Sequence, residues 1–225
     1  MVELKQIKEN ERIFMDRKGK LYTKNLVKGQ NVYGEKILEL KDGEYREWIP
    51  NRSKLAAAIK KNIGKVPINE GDKVLYLGIA AGTTASHISD IIGWNGIIYG
   101  IEISSRILRE LIRIVEKRKN IIPLLADASK PDEYLWIVRK VDIIYQDVAQ
   151  PNQVKIFLDN ISYYLKNGGY GFLAVKARSI DVKADPKDIF NRVEKELKEY
   201  GLKIINKVRL EPYHKDHMMF LIQNK

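Results

Sequence analysis

With 225 residues, 44% of them hydrophobic and 31% charged, the chain can bury a proper core and is not disordered along its length. It has no cysteine, which excludes a disulfide scaffold, a thiolate metal site and a cysteine nucleophile. Lysine and arginine outnumber the acids 40 to 29, a formal charge of +11. That excess fits a nucleic-acid partner or a solvated lysine-rich surface.

No apolar run approaches the roughly 20 residues that span a bilayer, and the first dozen residues are charged from the third on. A cytoplasmic protein with no membrane partner is expected. Residues 1–50 carry short alternating stretches such as Arg12–Asp16, with turn signals at Arg17–Lys20, Lys28–Asn31 and Lys41–Gly43. This reads as a small antiparallel β unit built of hairpins. It holds no catalytic constellation, and its expected role is to support the next domain or contact a partner.

Residues 51–225 read as a second domain. Leu55, Ile59 and Ile63 recur at helical spacing. Strand and helix then alternate: strand Lys73–Leu77, helix Thr83–Ile92, strand Ile97–Ile101, helix Ser105–Lys117, then strand runs at Ile121–Leu125, Val141–Tyr145 and Tyr170–Val175. Helices fall near 153–165 and 187–199, and last strands at Leu202–Val208 and Met218–Ile222. Near-continuous apolar strands separated by helices predict an α/β, Rossmann-like fold with a mostly parallel sheet covered on both faces.

The first of these strands runs into Gly78-Ile79-Ala80-Ala81-Gly82-Thr83-Thr84 and then a helix. Small residues there let the chain approach a ligand, and a helix N-terminus offers free N–H groups to an anion. Glu102 closes the next strand, twenty residues after Gly82, where a carboxylate can accept both hydroxyls of a ribose. A dinucleotide fingerprint would want glycine at Ala80 and Thr83 as well, so a dehydrogenase is disfavoured. Gly78-x-Ala80-x-Gly82 instead resembles the first motif of S-adenosylmethionine-dependent methyltransferases. Asp127-Ala128, after the third strand, suits the exocyclic amine of adenine, although an aspartate there is commonly a cap or turn residue.

Ligands of open α/β sheets lie beyond the carboxyl ends of the strands. Asp147 and Lys176 stand at two such ends, Lys54 on the helix before the first strand, and His217 opens the last strand. Singly each is weak; a strand-end lysine is ordinarily a snorkelling cation.

The strings Val74–Gly78, Tyr145–Gln153, Lys176–Asp181 and Leu210–Tyr213, with Arg52–Ala57, closely resemble the fibrillarin family over nearly the whole chain. There is no Gly/Arg-rich N-terminal tail, so the likeness is to the archaeal form; Ala81 stands where serine is common and Ile103 where phenylalanine is. The resemblance implies a methyltransferase fold whose last strand is antiparallel, and an enzyme that methylates ribose 2′-hydroxyls of rRNA and tRNA. It implies S-adenosylmethionine as cofactor and a box C/D guide RNA that pairs with the target. A Nop-family scaffold protein and a kink-turn-binding ribosomal-like protein are the implied partners. Lys54, Asp147, Lys176 and His217 then map onto the family's catalytic tetrad. Gly78, Ala80, Gly82, Thr83, Thr84, Glu102, Asp127, Ala128, Asp147 and Gln150 map onto its cofactor contacts.

The residue types suit methyl transfer, which needs in-line positioning and help in removing a proton. Burial and the like charge of Lys54 would lower the pKa of Lys176 and make it a base, with Asp147 orienting Lys176 or the hydroxyl. No metal is expected, because three histidines without cysteine offer no convincing ligand set. Two rivals stand beside this reading: another methyltransferase acting on a protein or small molecule, and a catalytically idle RNA-binding subunit.

Overall fold

The computed structural model describes residues 3–225. An antiparallel five-stranded sheet comes first, in the spatial order β1-β2-β3-β5-β4. Its strands are β1 (Leu4–Ile7), β2 (Asn10–Asp16), β3 (Leu21–Lys24), β4 (Ile37–Leu40) and β5 (Gly43–Trp48). The turns expected at Arg17–Lys20 and Lys41–Gly43 join β2 to β3 and β4 to β5, while Lys28–Asn31 lies in the longer β3–β4 connection. Residues alternate between faces, as the period of two requires. Ile13, Leu21 and Trp48 enter the core shared with the rest of the chain, whereas Tyr22, Leu38 and Tyr45 form a small outer cluster.

Helix α1 (Lys54–Lys60) starts where Ser53 Oγ accepts the Ala56 N–H. It is shorter than the spacing to Ile63 suggested. Asn62 takes a left-handed φ of 59° and ends it, yet Ile63 still reaches the core. The seven-stranded sheet follows, in the order β11-β12-β10-β9-β6-β7-β8. Its strands are β6 (Lys73–Leu77), β7 (Ile97–Glu102), β8 (Ile121–Leu125), β9 (Val141–Gln146), β10 (Leu165–Lys176), β11 (Lys203–Arg209) and β12 (His217–Gln223). Strands β6 to β10 are mutually parallel, and β12 runs antiparallel to β10. Strand β10 begins five residues earlier than the sequence suggested, directly after a helix, because an irregularity between Leu165 and Tyr170 keeps both in register with β9.

Alternate residues of each strand feed two cores. Val74, Tyr76, Ile143, Tyr145 and Phe172 pack towards α1 and α2 (Thr83–Ile92). Leu75, Leu77, Ile144 and Leu173 pack towards α4 (Gln153–Tyr164) and α6 (Pro186–Glu199). Between them in the chain lie α3 (Ser105–Val115) and the single turn α5 (Ala177–Ile180). Strand β6 has β7 on one side and β9 on the other. That reversal of strand order opens a crevice at the carboxyl ends, the usual ligand position in such sheets.

The two sheets are also joined by buried charge. Arg46 of β5 is fully buried against Glu35 at 2.6 Å and Asp90 of α2 at 2.8 Å, and Arg118 meets the other Asp90 oxygen at 2.6 Å. Thr23 Oγ1 donates to Asp90. His87, bracketed by Thr23 and Tyr33 and stacked on Trp48, is held well below the ordinary histidine pKa, first by burial and then by Arg46 and Arg118. No helix among the described residues is long and apolar enough to cross a membrane.

Candidate active site

A cleft of about 330 Å³ opens at the switch point, between the ends of β6, β7 and β9. That is the size of a small-molecule site. Gly78, directly after β6, has φ of 77°, and a Cβ there would lie 2.6 Å from the Asp147 carbonyl. Only glycine lets the first turn and the end of β9 come together. Glu102, almost wholly buried at the end of β7, accepts the Ala80 N–H at 3.1 Å and the Ser104 N–H at 2.9 Å, one on each oxygen. A carboxylate has about four acceptor sites, so two remain for a ligand's hydroxyls. Asp127 Oδ1 accepts both the backbone N–H and the hydroxyl of Ser129. These bonds, the backbone one foremost, hold its carboxyl below the usual range. It is thus a turn residue and a wall of the cleft at once.

Seven of the ten expected cofactor contacts line this cleft: Gly78, Ala80, Glu102, Asp127, Ala128, Asp147 and Gln150. Gly82, Thr83 and Thr84 do not. Gly82 caps α2 with a left-handed φ, and a Cβ there would meet Leu111 at 2.7 Å. Thr84 is buried and donates its hydroxyl to Ser53, so it steadies the start of α1. The sequence reading missed apolar walls, among them Ile107 of α3 and Ile156 of α4. Nothing in a helical apolar stripe marks which member faces a ligand.

Of the four tetrad positions only Asp147 lines the cleft. Lys54, the first residue of α1, meets Asp147 at 2.7 Å, with both side chains about three-quarters buried. His217 stands opposite Lys176 in the β10–β12 register. Its Nδ1 donates to the Lys215 carbonyl at 2.6 Å, which leaves Nε2 as a free acceptor while the ring is neutral. Burial, ahead of the other influences, lowers the His217 pKa; the Lys54 and Asp147 charges both reach the ring, in opposite directions. His214, whose pKa burial also lowers, donates from Nε2 to the Pro50 carbonyl at 2.9 Å. It braces the segment that leads into Lys54, a role the sequence did not suggest.

One expectation needs correction. Lys176 is exposed, so the burial that would have made it a base is missing, because its side chain leaves the strand end towards solvent. Of the two groups Asp147 was expected to orient, Lys176 is not its partner: Asp147 pairs with Lys54, since α1 brings Lys54 directly over the end of β9.

The family model described as fibrillarin matches residues 4–225. The chain belongs to the fibrillarin family. The fibrillarin-like rRNA/tRNA 2′-O-methyltransferase of Pyrococcus abyssi is 56% identical over 99% of both chains. Among solved structures, Aeropyrum pernix fibrillarin with natively bound S-adenosyl-L-methionine superposes with a TM-score of 0.91 at 45% identity, covering 99% of each chain. A fibrillarin/Nop5p complex superposes with a TM-score of 0.86 at 44% identity, covering 95% of this chain and 98% of that one. The expected methyltransferase fold, with its mostly parallel seven-stranded sheet and antiparallel last strand, is the fold observed in this fibrillarin-family chain.

Proposed function

We propose that this chain is the catalytic subunit of a box C/D guide ribonucleoprotein and transfers a methyl group from S-adenosylmethionine to ribose 2′-hydroxyls of rRNA and tRNA. One observation carries the reading. Asp147, which lines a cleft of cofactor size, is ion-paired with Lys54, and the charges of that pair reach His217, which stands opposite Lys176 in the β10–β12 register.

The residues present suit that cofactor. Gly78 leaves the room a Cβ would fill. Glu102 keeps lone pairs for ribose hydroxyls, and Asp127 Oδ2, with no protein hydrogen bond among the described residues, can accept from an adenine amine. Ala80 and Gln150 complete the cradle. When bound, the cofactor supplies a methyl group on an electron-poor sulfonium. Asp147, fixed by Lys54, orients the acceptor at the cofactor's reactive end. His217 Nε2 accepts the hydroxyl proton, because burial keeps the imidazole neutral and its Nδ1–H is engaged by Lys215. Lys176 holds the nucleotide by its charge. Selection of the target by base pairing leaves the protein to meet only sugar and phosphate, which suits a diffuse positive surface. A Nop-family scaffold, a kink-turn-binding protein and the guide RNA are the partners of this reading, and the cytoplasm its place.

The test is methyl transfer from labelled S-adenosylmethionine to RNA, with and without the partner proteins and guide. Label on the guide-specified 2′-oxygen, only in the assembled particle, is the expected result. Efficient site-specific transfer by the lone chain, or transfer to protein, would overturn it.

A further inference from the structure

The parallel ladder between β9 and β10 ends at the pair Gln146–Leu173. Beyond it the two strands carry Asp147 and Lys176. On its other side β10 continues to pair with β12, and the Ala177 N–H donates to the Asp216 carbonyl. Successive peptide groups of a strand point to opposite sides, so the N–H and C=O of Lys176 face the gap where β9 has stopped. A buried strand end with both groups unpaired would be costly.

Gln153, the first residue of α4, fills that gap. Its side chain is fully buried. Oε1 accepts the Lys176 N–H at 3.1 Å, and Nε2 donates to the Lys176 carbonyl at 3.3 Å and to the Gln150 carbonyl at 2.9 Å. The Gln153 carbonyl in turn accepts from the Gln146 amide at 2.6 Å, and Gln146 is fully buried too. A primary amide carries the same donor and acceptor as a peptide group. The Gln153 side chain therefore replaces the missing strand partner of Lys176, and also ties it to the loop that bears Asp147 and Gln150.

We propose that Gln153 is a positioning residue that fixes the Lys176 backbone against the Asp147–Gln150 loop, so that the acceptor side and the cofactor side of the site move as one body. The proposal rests on the function proposed above. An apolar side chain of similar length at 153 would leave the Lys176 N–H and carbonyl without partners, take one of two donors from the Gln150 carbonyl, and free the end of β10. A glutamate would keep the acceptor for the Lys176 N–H but turn both donated bonds into repulsions.

The test is a double-mutant cycle on single-turnover methylation in the assembled particle, read together with cofactor affinity. Gln153→Met is expected to lower the rate at least about tenfold while the dissociation constant for S-adenosylmethionine changes less than about threefold. In a Lys176→Ala background the same substitution is expected to lower the rate less than about twofold, because the two residues act through one another. Additive losses would overturn the proposal, since a general loss of structure does not depend on the Lys176 amine. Gln153→Glu is the second variant, with the same expected pattern. A readout on the wild-type full chain guards against variants that fail to fold. The Lys176 amide should exchange slowly and show scalar coupling across its hydrogen bond to the Gln153 side-chain carbonyl. Fast exchange without coupling would overturn the clamp whatever the variants do. An inactive wild-type particle would sink the functional reading and leave that amide measurement standing, whereas an active particle with a fully active Gln153→Met would sink only this inference.

Discussion

The choice between His217 and Lys176 as proton acceptor can be decided by the pH dependence of the rate. The folded-state pKa of His217 lies below 6.5, because burial disfavours the imidazolium. Protonated imidazole cannot accept a proton, so activity should be lost as pH falls through that pKa and be flat above it. Between pH 7.5 and 9 the single-turnover rate should change by less than about 1.5-fold, and well below the pKa it should drop about tenfold per pH unit. His217→Ala should cost at least about 10²-fold, the lower range for losing a general base. Lys176→Ala should cost about 10- to 150-fold, the equivalent of the roughly 1.5–3 kcal/mol of a hydrogen bond to a charged group. Lys176→Arg should retain most of the rate, because the charge is kept. The assay is rapid-quench methylation in the assembled particle with saturating cofactor. A wild-type rate that keeps climbing tenfold per unit above pH 7.5, with Lys176→Arg inactive, would show that Lys176 is the base and that the exposed position of its side chain misleads.

Further outcomes follow from the buried groups. Glu102→Ala should weaken S-adenosylmethionine binding about 10- to 150-fold, for loss of charged hydrogen bonds worth roughly 1.5–3 kcal/mol; calorimetry giving an unchanged constant in a folded variant would leave Glu102 only its tether to Ala80 and Ser104. Arg46→Met should destabilise the chain by about 3–5 kcal/mol, because Glu35 loses its buried partner and Asp90 one of two; a denaturant midpoint close to wild type would show the network to be dispensable. His87 has a depressed folded pKa, so the unfolded chain binds the extra proton, and stability present above pH 6.5 should be lost as pH falls below it. His87→Gln should flatten that slope between pH 6.5 and 5 without abolishing it, since His214 and His217 are depressed as well; an unchanged slope would place the titration elsewhere.

The sheet was legible because its strands are buried on both faces and read as apolar runs, and its turns carry glycines with positive φ at Gly78 and Gly82. Glu102, Asp127 and Asp147 were legible for a related reason: each sits at or just past a strand end, and strand ends define the crevice. What stayed hidden depends on which way a side chain turns. The threonine pair after Gly82 looked like a single motif, yet Thr84 serves the cap of α1. Lys176 was expected to be buried because it ends a strand at the crevice, but its neighbours Val175 and Ala177 are the buried ones and its own side chain faces solvent. Gln146 and Gln153 belonged to a family-like string but carried no signal of their structural role, since two glutamines seven apart acquire that meaning only when a strand stops short of its neighbour.

Under the proposed mechanism, Lys54 ties the small sheet to the chemistry. It is borne on the segment between the two sheets, and three contacts fix that segment. Ser53 caps α1 and accepts from Thr84, His214 donates to the Pro50 carbonyl, and Lys60 donates to the Gly19 carbonyl of the β2–β3 turn at 2.6 Å. The first contact comes from the cofactor turn, the second from the loop before His217, the third from the small sheet. Any shift of one sheet against the other therefore moves the Lys54 ammonium relative to Asp147. The continuous core and the Arg46–Asp90–Arg118 network oppose that shift, so under the proposed mechanism the five-stranded sheet would support methyl transfer without lending it a single reacting atom.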